Sequence, residues 1–170
     1  MRGMEPERFK PAVTVAAIIA RDGHYLLVEE MTRDGLRLNN PAGGLEQGES
    51  LLEAALREAL EETACPFTPE ALLGVYLARN PMTPGGRGIS YLRFAFCGSA
   101  GAPIPGRALD APVQRTVWMT PEEIAAERAR LRGPLVLQCI NDHLRGQRFP
   151  LEAVIAHRSV HDPESPDSQV

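Results

Sequence analysis

Glu58, Glu61 and Glu62 fall at i, i+3 and i+4 within the run GGLEQGESLLEAALREALEETAC, residues 43–65. Side chains at that spacing are neighbours on one face of an α-helix. At about 100° per residue the three carboxylates lie within an arc of roughly 100°. Like charges so placed destabilise a helix by about 0.2–0.5 kcal/mol per pair unless a positive group sits over them. Carboxylate oxygens suit a hard divalent cation. Such a cation can acidify a bound water. The competing reading is a solvated charged face. Glu53, Arg57 and Glu61 stand at i, i+4 and i+8, as in an ordinary salt-bridge ladder. The ladder does not explain Glu58 and Glu62, because positions 54, 55, 65 and 66 are Ala, Ala, Cys and Pro.

Two elements must hold these acids. A helix from Ser50 to about Thr63 is predicted by the capping pattern Ser50-x-x-Glu53 and by Pro66 beyond its end. Leu52, Leu56, Ala59 and Leu60 are expected to face the core, opposite the acids. Pro41-Ala42-Gly43-Gly44 and Gly48 read as a flexible turn whose backbone can approach a ligand closely.

In this register the segment resembles the Nudix box. Gly43, Glu49, Arg57, Glu58, Glu61 and Glu62 match its Gly, Glu and Arg positions. Ala59 is smaller than the usual aliphatic, Ala64 replaces the final Gly and Cys65 the final aliphatic. Further islands resemble one phosphatase branch of that family: residues 9–16, 26–30, 39–43, 92–94, 131–136 and 146–152. The resemblance implies an α+β, α/β/α sandwich with a mixed sheet between helices. It also implies a Mg²⁺-dependent hydrolase, with Mn²⁺ as a substitute, acting on phosphoanhydride bonds. The substrates implied are nucleoside tri- and diphosphates and hydroxymethylpyrimidine diphosphate or similar small diphosphates, with release of phosphate. The implied catalytic set is Arg57, Glu58, Glu61 and Glu62. The implied metal ligands are Gly43, through its carbonyl, with Glu58, Glu61, Glu62 and, outside the box, Asp110. Arg57 is expected to orient Glu58 or Glu61, with Glu49 as its partner; Glu49 and Gly44 then serve the structure of the box. The box handles the shared diphosphate, so a sugar nucleotide, a dinucleoside polyphosphate or a damaged nucleotide is an alternative substrate. A non-catalytic nucleotide-binding regulator is the remote alternative, disfavoured by the complete acidic set.

Other residues carry weaker readings. Arg93 interrupts the apolar strand Tyr91-Leu92-Arg93-Phe94-Ala95-Phe96, and so needs a structural carboxylate or a substrate phosphate. Asn39 and Asn40 suit either a turn or hydrogen bonds to a substrate ring. Glu29 and Glu30 are candidate substrate contacts; strand alternation predicts that one faces the site and the other solvent. Asp110 is either a ligand or an ordinary turn residue.

With 170 residues the chain suggests one domain, placed at residues 9–157 between a flexible N-terminus (1–8) and a disordered polar tail (158–170). A net charge of −4 argues against a nucleic-acid polymer as partner, so phosphate affinity must come from a metal and a few placed arginines. Cys65, Cys97 and Cys139 show no metal-finger spacing and read as buried free thiols in a reducing, cytoplasmic setting. No signal sequence is read at the N-terminus, where Met4 is an alternative start, and no membrane span is expected. The sequence is compatible with a monomer or a homodimer.

Strands are predicted at residues 13–20 and 24–31 around an Arg21-Asp22-Gly23 hairpin turn, and at 36–39, 72–79, 89–97 and 113–119. Residues 80–88 and 98–112 read as Gly/Pro-rich loops, the first mobile. Helices are predicted from Thr120-Pro121-Glu122-Glu123 and over 134–144.

Overall fold

The hairpin turn falls where the sequence places it. Asp22 and Gly23 both take left-handed backbone angles, φ 50° and 76°, as a two-residue loop between twisted strands requires. In this computed structural model residues 8–80, 88–162 and 164 are described. The N-terminal expectation (residues 1–7), most of the loop expected at 80–88 (residues 81–87) and most of the expected tail (163 and 165–170) lie outside them.

The chain runs β1 (Ala12–Arg21), β2 (His24–Thr32), β3 (Gly35–Asn39), β4 (Ala42–Gly44), α1 (Leu51–Thr63), β5 (Phe67–Asn80), β6 (Ile89–Ala100), β7 (Val113–Met119), α2 (Pro121–Ala126) and α3 (Pro134–Leu144). The seven strands form one sheet with a path β3-β2-β1-β6-β5; β4 adds to β1 and β7 to β2. Strands β1 and β6 are parallel and the other pairs antiparallel, so the sheet is mixed. β1 stays with β2 for two register pairs only, Ala20↔Tyr25 and Arg21↔His24. It then diverges to pair β6 and β4 along the rest of its length.

Alternation along β1 builds two cores. Ala16 and Ile18 pack with Ile124 of α2 and Val136, Cys139 and Ile140 of α3. Val15, Ala17 and Ile19 pack with Ala54, Ala55 and Ala59 of α1. The result is an α+β fold with helices on both faces of the sheet. All three cysteines are buried and free. Among the described residues no helix is long and apolar enough to cross a membrane.

Three local expectations change. The strand predicted at 89–97 runs on to Ala100, because residues 98–100 pair with the start of β5 instead of entering the expected loop. Ala42–Gly44 is a short strand on β1, with Gly43 opposite Val15, rather than a free turn. Its backbone satisfies its hydrogen bonds on the sheet, which fixes it beside α1. The strand predicted at 72–79 begins at Phe67, with register shifts between Pro69 and Ala71 and between Leu72 and Gly74. A bulge is where a strand tolerates proline.

Candidate active site

The capping box at the start of α1 is complete. Ser50 Oγ accepts from the Glu53 N–H at 3.2 Å, and the Ser50 N–H donates to Glu53 Oε2 at 2.7 Å. At the other end Ala64 takes a left-handed φ of 58°, the conformation usually given to glycine. The helix between them rests on the sheet through alanines, and this changes which face the acids occupy. Ala54, Ala55, Ala59, Glu62 and Thr63 are its buried residues, whereas Leu51, Leu52 and Leu56 pack only partly against the core. Glu58 and Glu62 therefore lie on the sheet-facing side, against the β4 strand, and not on a solvent face opposite the leucines. Small residues permit this: alanine lets the helix approach β1 and β4 closely enough for carboxylates to reach the backbone.

Glu62 Oε2 accepts from the Ala42 N–H at 2.9 Å. A Cβ on Gly43 would fall onto the Glu58 carboxylate, so position 43 admits only glycine while Glu58 stands where it does. Arg57 ties the acids together. Its Nε and Nη2 donate to the two Glu49 oxygens at 2.9 and 2.8 Å, and Nη2 also donates to the Gly44 carbonyl at 3.0 Å. Nη1 donates to Glu58 Oε1 at 2.8 Å and Glu61 Oε2 at 3.1 Å. The Arg57 pKa is raised, chiefly by Glu49.

Two sequence arguments fail here. The Glu53–Arg57 rung of the ladder is replaced: Glu53 bonds His161 at 2.7 Å and caps Ser50 instead. Glu58, which the one-turn spacing left without a cation, is held by its own neighbour Arg57, whose long side chain folds back along the helix. Glu62 alone among the three acids has no such cation. Burial first, then the charges of Glu58, Glu30 and Asp110, push its pKa up to about 8 against the Ala42 hydrogen bond. Burial also raises Glu58, opposed by Arg57.

Asp110 sits in an exposed turn. Its N–H donates to the Glu61 carbonyl at 3.0 Å, and its own carbonyl accepts from Val113 at 2.9 Å. The turn thus ties the residue 101–112 connection to the end of α1 and brings the Asp110 charge near Glu62.

Glu29 and Glu30 both lie inside, contrary to strict alternation, because the β2–β7 register shifts between them. Glu29 is clamped by Arg115 at 2.7 Å and by Arg130; the Arg115 hydrogen bond leads in lowering its pKa. It ties β2 to β7 and to the segment after α2. Glu30 faces a cavity of about 260 Å³ lined also by Thr14, Asn39, Gly43, Gly44, Arg93 and Arg132. Burial raises its pKa, opposed by Arg132 at 3.1 Å and by Asn39. Asn40 is buried but does not line this cavity. Arg93 reaches the cavity from β6, and its buried Nε and Nη1 have no hydrogen-bond partner among the described residues. Arg132 and Thr14 were not singled out from the sequence. Arg132 was findable, as a cation fixed just before the Gly133-Pro134 helix start. Thr14 was not, because only the β1–β6 register sets it beside Arg93.

Among the described residues no three His, Cys, Asp or Glu side chains form a ready-made metal cage. Arg57 Nη1 lies on Glu58 and Glu61. The donors nevertheless fit a hard cation. They are all oxygens, Glu62 is bonded to the Ala42 N–H and is held by no described arginine as Glu58 and Glu61 are, and the missing Cβ of Gly43 leaves its space to the Glu58 carboxylate.

The NUDIX domain family model matches residues 8–138. The chain is 37% identical to the phosphatase NudJ of Escherichia coli K12 over 147 residues, 86% of this chain and 92% of that one. A NUDIX hydrolase structure from Nitrosomonas europaea is 46% identical and superposes with a TM-score of 0.80, covering 87% of this chain and 98% of that one. A bifunctional NMN adenylyltransferase/ADP ribose pyrophosphatase from Francisella tularensis, solved with AMP and a Mn ion, is 22% identical with a TM-score of 0.60. It covers 83% of this chain and 43% of that one, and is a likeness of fold alone.

Proposed function

The chain belongs to the Nudix hydrolases, enzymes that cleave pyrophosphate bonds with divalent metal ions, and on that premise we propose that it is a cytoplasmic Mg²⁺-dependent phosphatase of small diphosphates. The substrates proposed are nucleoside di- and triphosphates and pyrimidine diphosphates of the hydroxymethylpyrimidine type. One observation carries the reading: the inward acids of α1 and a cavity with an unpartnered arginine meet at Gly43 and Gly44. Acids gather a cation, and the arginine meets a phosphate.

Glu58, Glu61 and Glu62, with the Gly43 carbonyl, would hold the metal, and Asp110 adds charge at the same end of the helix. When bound, the cation supplies charge neutralisation at the diphosphate and a more acidic water. The chain's own part is positioning. Arg57 keeps Glu58 and Glu61 in register and fastens them to Glu49 and the Gly44 carbonyl. Such supporting contacts are commonly worth 10- to 100-fold in metal affinity or activity. Asn39 and Glu30 line the substrate side.

The test is phosphate release in Mg²⁺ from nucleoside di- and triphosphates, a pyrimidine diphosphate, a sugar nucleotide and a dinucleoside polyphosphate. Turnover of the first two classes is expected, falling at least about 100-fold in Glu61→Gln and Glu62→Gln. Turnover no higher than in those variants would refute the proposal.

A further inference from the structure

Three residues that line the cavity beside Gly43 carry polar atoms, just behind its surface, that the protein leaves unmet. Arg93 Nε and Nη1, Thr14 Oγ1 and Asn39 Oδ1 are all shut off from solvent without a hydrogen-bond partner among the described residues. Thr14 and Arg93 are register partners on the parallel β1–β6 pair, and all three side chains line the one cavity. Buried polar atoms are nearly always bonded, so a concentration of unbonded ones in a lined cavity marks a place for a ligand.

The fold withholds a carboxylate from Arg93, although two lie within electrostatic reach. Glu30 and Glu62 both act on its charge. Glu30 Oε1 is taken by Arg132 at 3.1 Å and by Asn39 Nδ2 at 3.4 Å. Glu62 Oε2 is taken by the Ala42 N–H. The opposite β5 partner, Tyr76, donates its hydroxyl to Asp142 at 3.1 Å. What remains near the guanidinium is the Cys139 sulfur, a weak acceptor.

Charge and size indicate what is missing. The lining holds Arg79, Arg93 and Arg132 against one acid, Glu30, in a chain whose net charge is −4. The remaining wall is largely apolar, with Ala42, Ala78, Pro134, Leu135 and Val136, which strengthens any charge interaction inside. At about 260 Å³ the cavity is below the roughly 300–1,000 Å³ that drug-sized ligands occupy. It suits a compact anion. A guanidinium fork matches a phosphoryl group in two-point contact. The Thr14 hydroxyl can donate to a further oxygen, and Asn39 Oδ1 can accept from a singly protonated phosphoryl group.

We propose that Arg93, Thr14 and Asn39 form a subsite for the free terminal phosphoryl group, so that the enzyme selects diphosphates that end in one over diphosphates substituted at both ends. The assignment rests on the function proposed above, but its binding test does not. The metal-free protein in EDTA is titrated with inorganic phosphate by calorimetry and by thermal shift, alongside Arg93→Met and Thr14→Val. Wild type binds phosphate and is stabilised by it. Arg93→Met weakens binding at least about tenfold, the scale of lost charge-assisted hydrogen bonds. It also melts higher than wild type without phosphate, since an unpaired buried cation has been removed. Thr14→Val, which leaves the arginine in place, weakens phosphate binding by a smaller factor. In steady-state assays Arg93→Met raises KM at least about tenfold for a nucleoside diphosphate. No phosphate binding by wild type, or equal binding by Arg93→Met, overturns the subsite even if the enzyme hydrolyses diphosphates. Arg93-dependent phosphate binding without any turnover supports the subsite and instead overturns the proposed hydrolase substrates.

Discussion

Replacing Glu62 by glutamine should stabilise the metal-free protein, and increasingly so as pH rises. Burial and the acids around it lift the Glu62 pKa from 4.5 to about 8. The folded chain therefore holds this proton more tightly than the unfolded chain does. The contribution is full below about pH 4.5 and is lost as pH climbs through about 8. Each tenfold in proton affinity is about 1.4 kcal/mol, so the gap between 4.5 and about 8 corresponds to ~4–5 kcal/mol. That is a large share of the roughly 5–15 kcal/mol by which a domain is stable. Glutamine mimics the protonated acid and can still accept the Ala42 N–H through its carbonyl, but it does not titrate. Removing the Glu62 charge also relieves Glu58, which acts in the same direction. Urea unfolding in EDTA at pH 5, 7 and 9 reads the difference directly, because every other group titrates in both proteins. The variant should match wild type near pH 5 and exceed it by ~3–5 kcal/mol at pH 9. Saturating Mg²⁺ should reverse the order, since only wild type gains the full metal contribution. A wild-type-to-variant difference that stays flat from pH 5 to pH 9 in EDTA would refute the reasoning.

Three further outcomes follow from the same contacts. Gly43→Ala puts a methyl onto the Glu58 carboxylate; calorimetric Mg²⁺ affinity should fall at least about tenfold while the far-ultraviolet circular dichroism stays unchanged. Arg57→Lys keeps a charge but cannot serve Glu49, Glu58, Glu61 and the Gly44 carbonyl together, so kcat/KM should drop about 10- to 100-fold and Arg57→Ala should be no better. Ser50→Ala removes the α1 capping bond and should cost about 1 kcal/mol, read as a Tm lower by about 2–4 °C with KM unchanged.

The periodic and punctuated parts of the sequence carried the fold well. The strands at residues 113–119 and the helix at 134–144 have the predicted bounds, because Pro134 and the flanking turns mark their ends locally. What local pattern could not supply was the partner of each strand. The β1–β6 parallel pairing joins residues some eighty positions apart, Val13 with Leu92 and Ile18 with Cys97. No short-range rule distinguishes that pairing from a hairpin continuing along β2. Likewise Ala42–Gly44 looked like a turn, since glycine content reports conformational freedom and not whether a neighbouring strand is there to use it.

The site shows the same division more sharply. Spacing put Glu58, Glu61 and Glu62 on one helix face, but helical geometry alone does not say which way that face points. Leucines were expected to mark the inside; alanines do, because only small side chains let α1 approach the sheet closely enough for Glu62 to take the Ala42 N–H. That close approach buries Glu62 and raises its proton affinity, and it places Glu58 against Gly43. The acids are therefore not surface groups that happen to be available to a cation. They are held inward at a cost to the metal-free fold, and a divalent ion is the partner whose charge would offset that cost. Arg93 repeats the pattern on the neighbouring strand with opposite sign, a buried cation whose nearby carboxylates are engaged elsewhere. In the function proposed above, a bound cation serves the acids and the substrate's phosphoryl group serves Arg93.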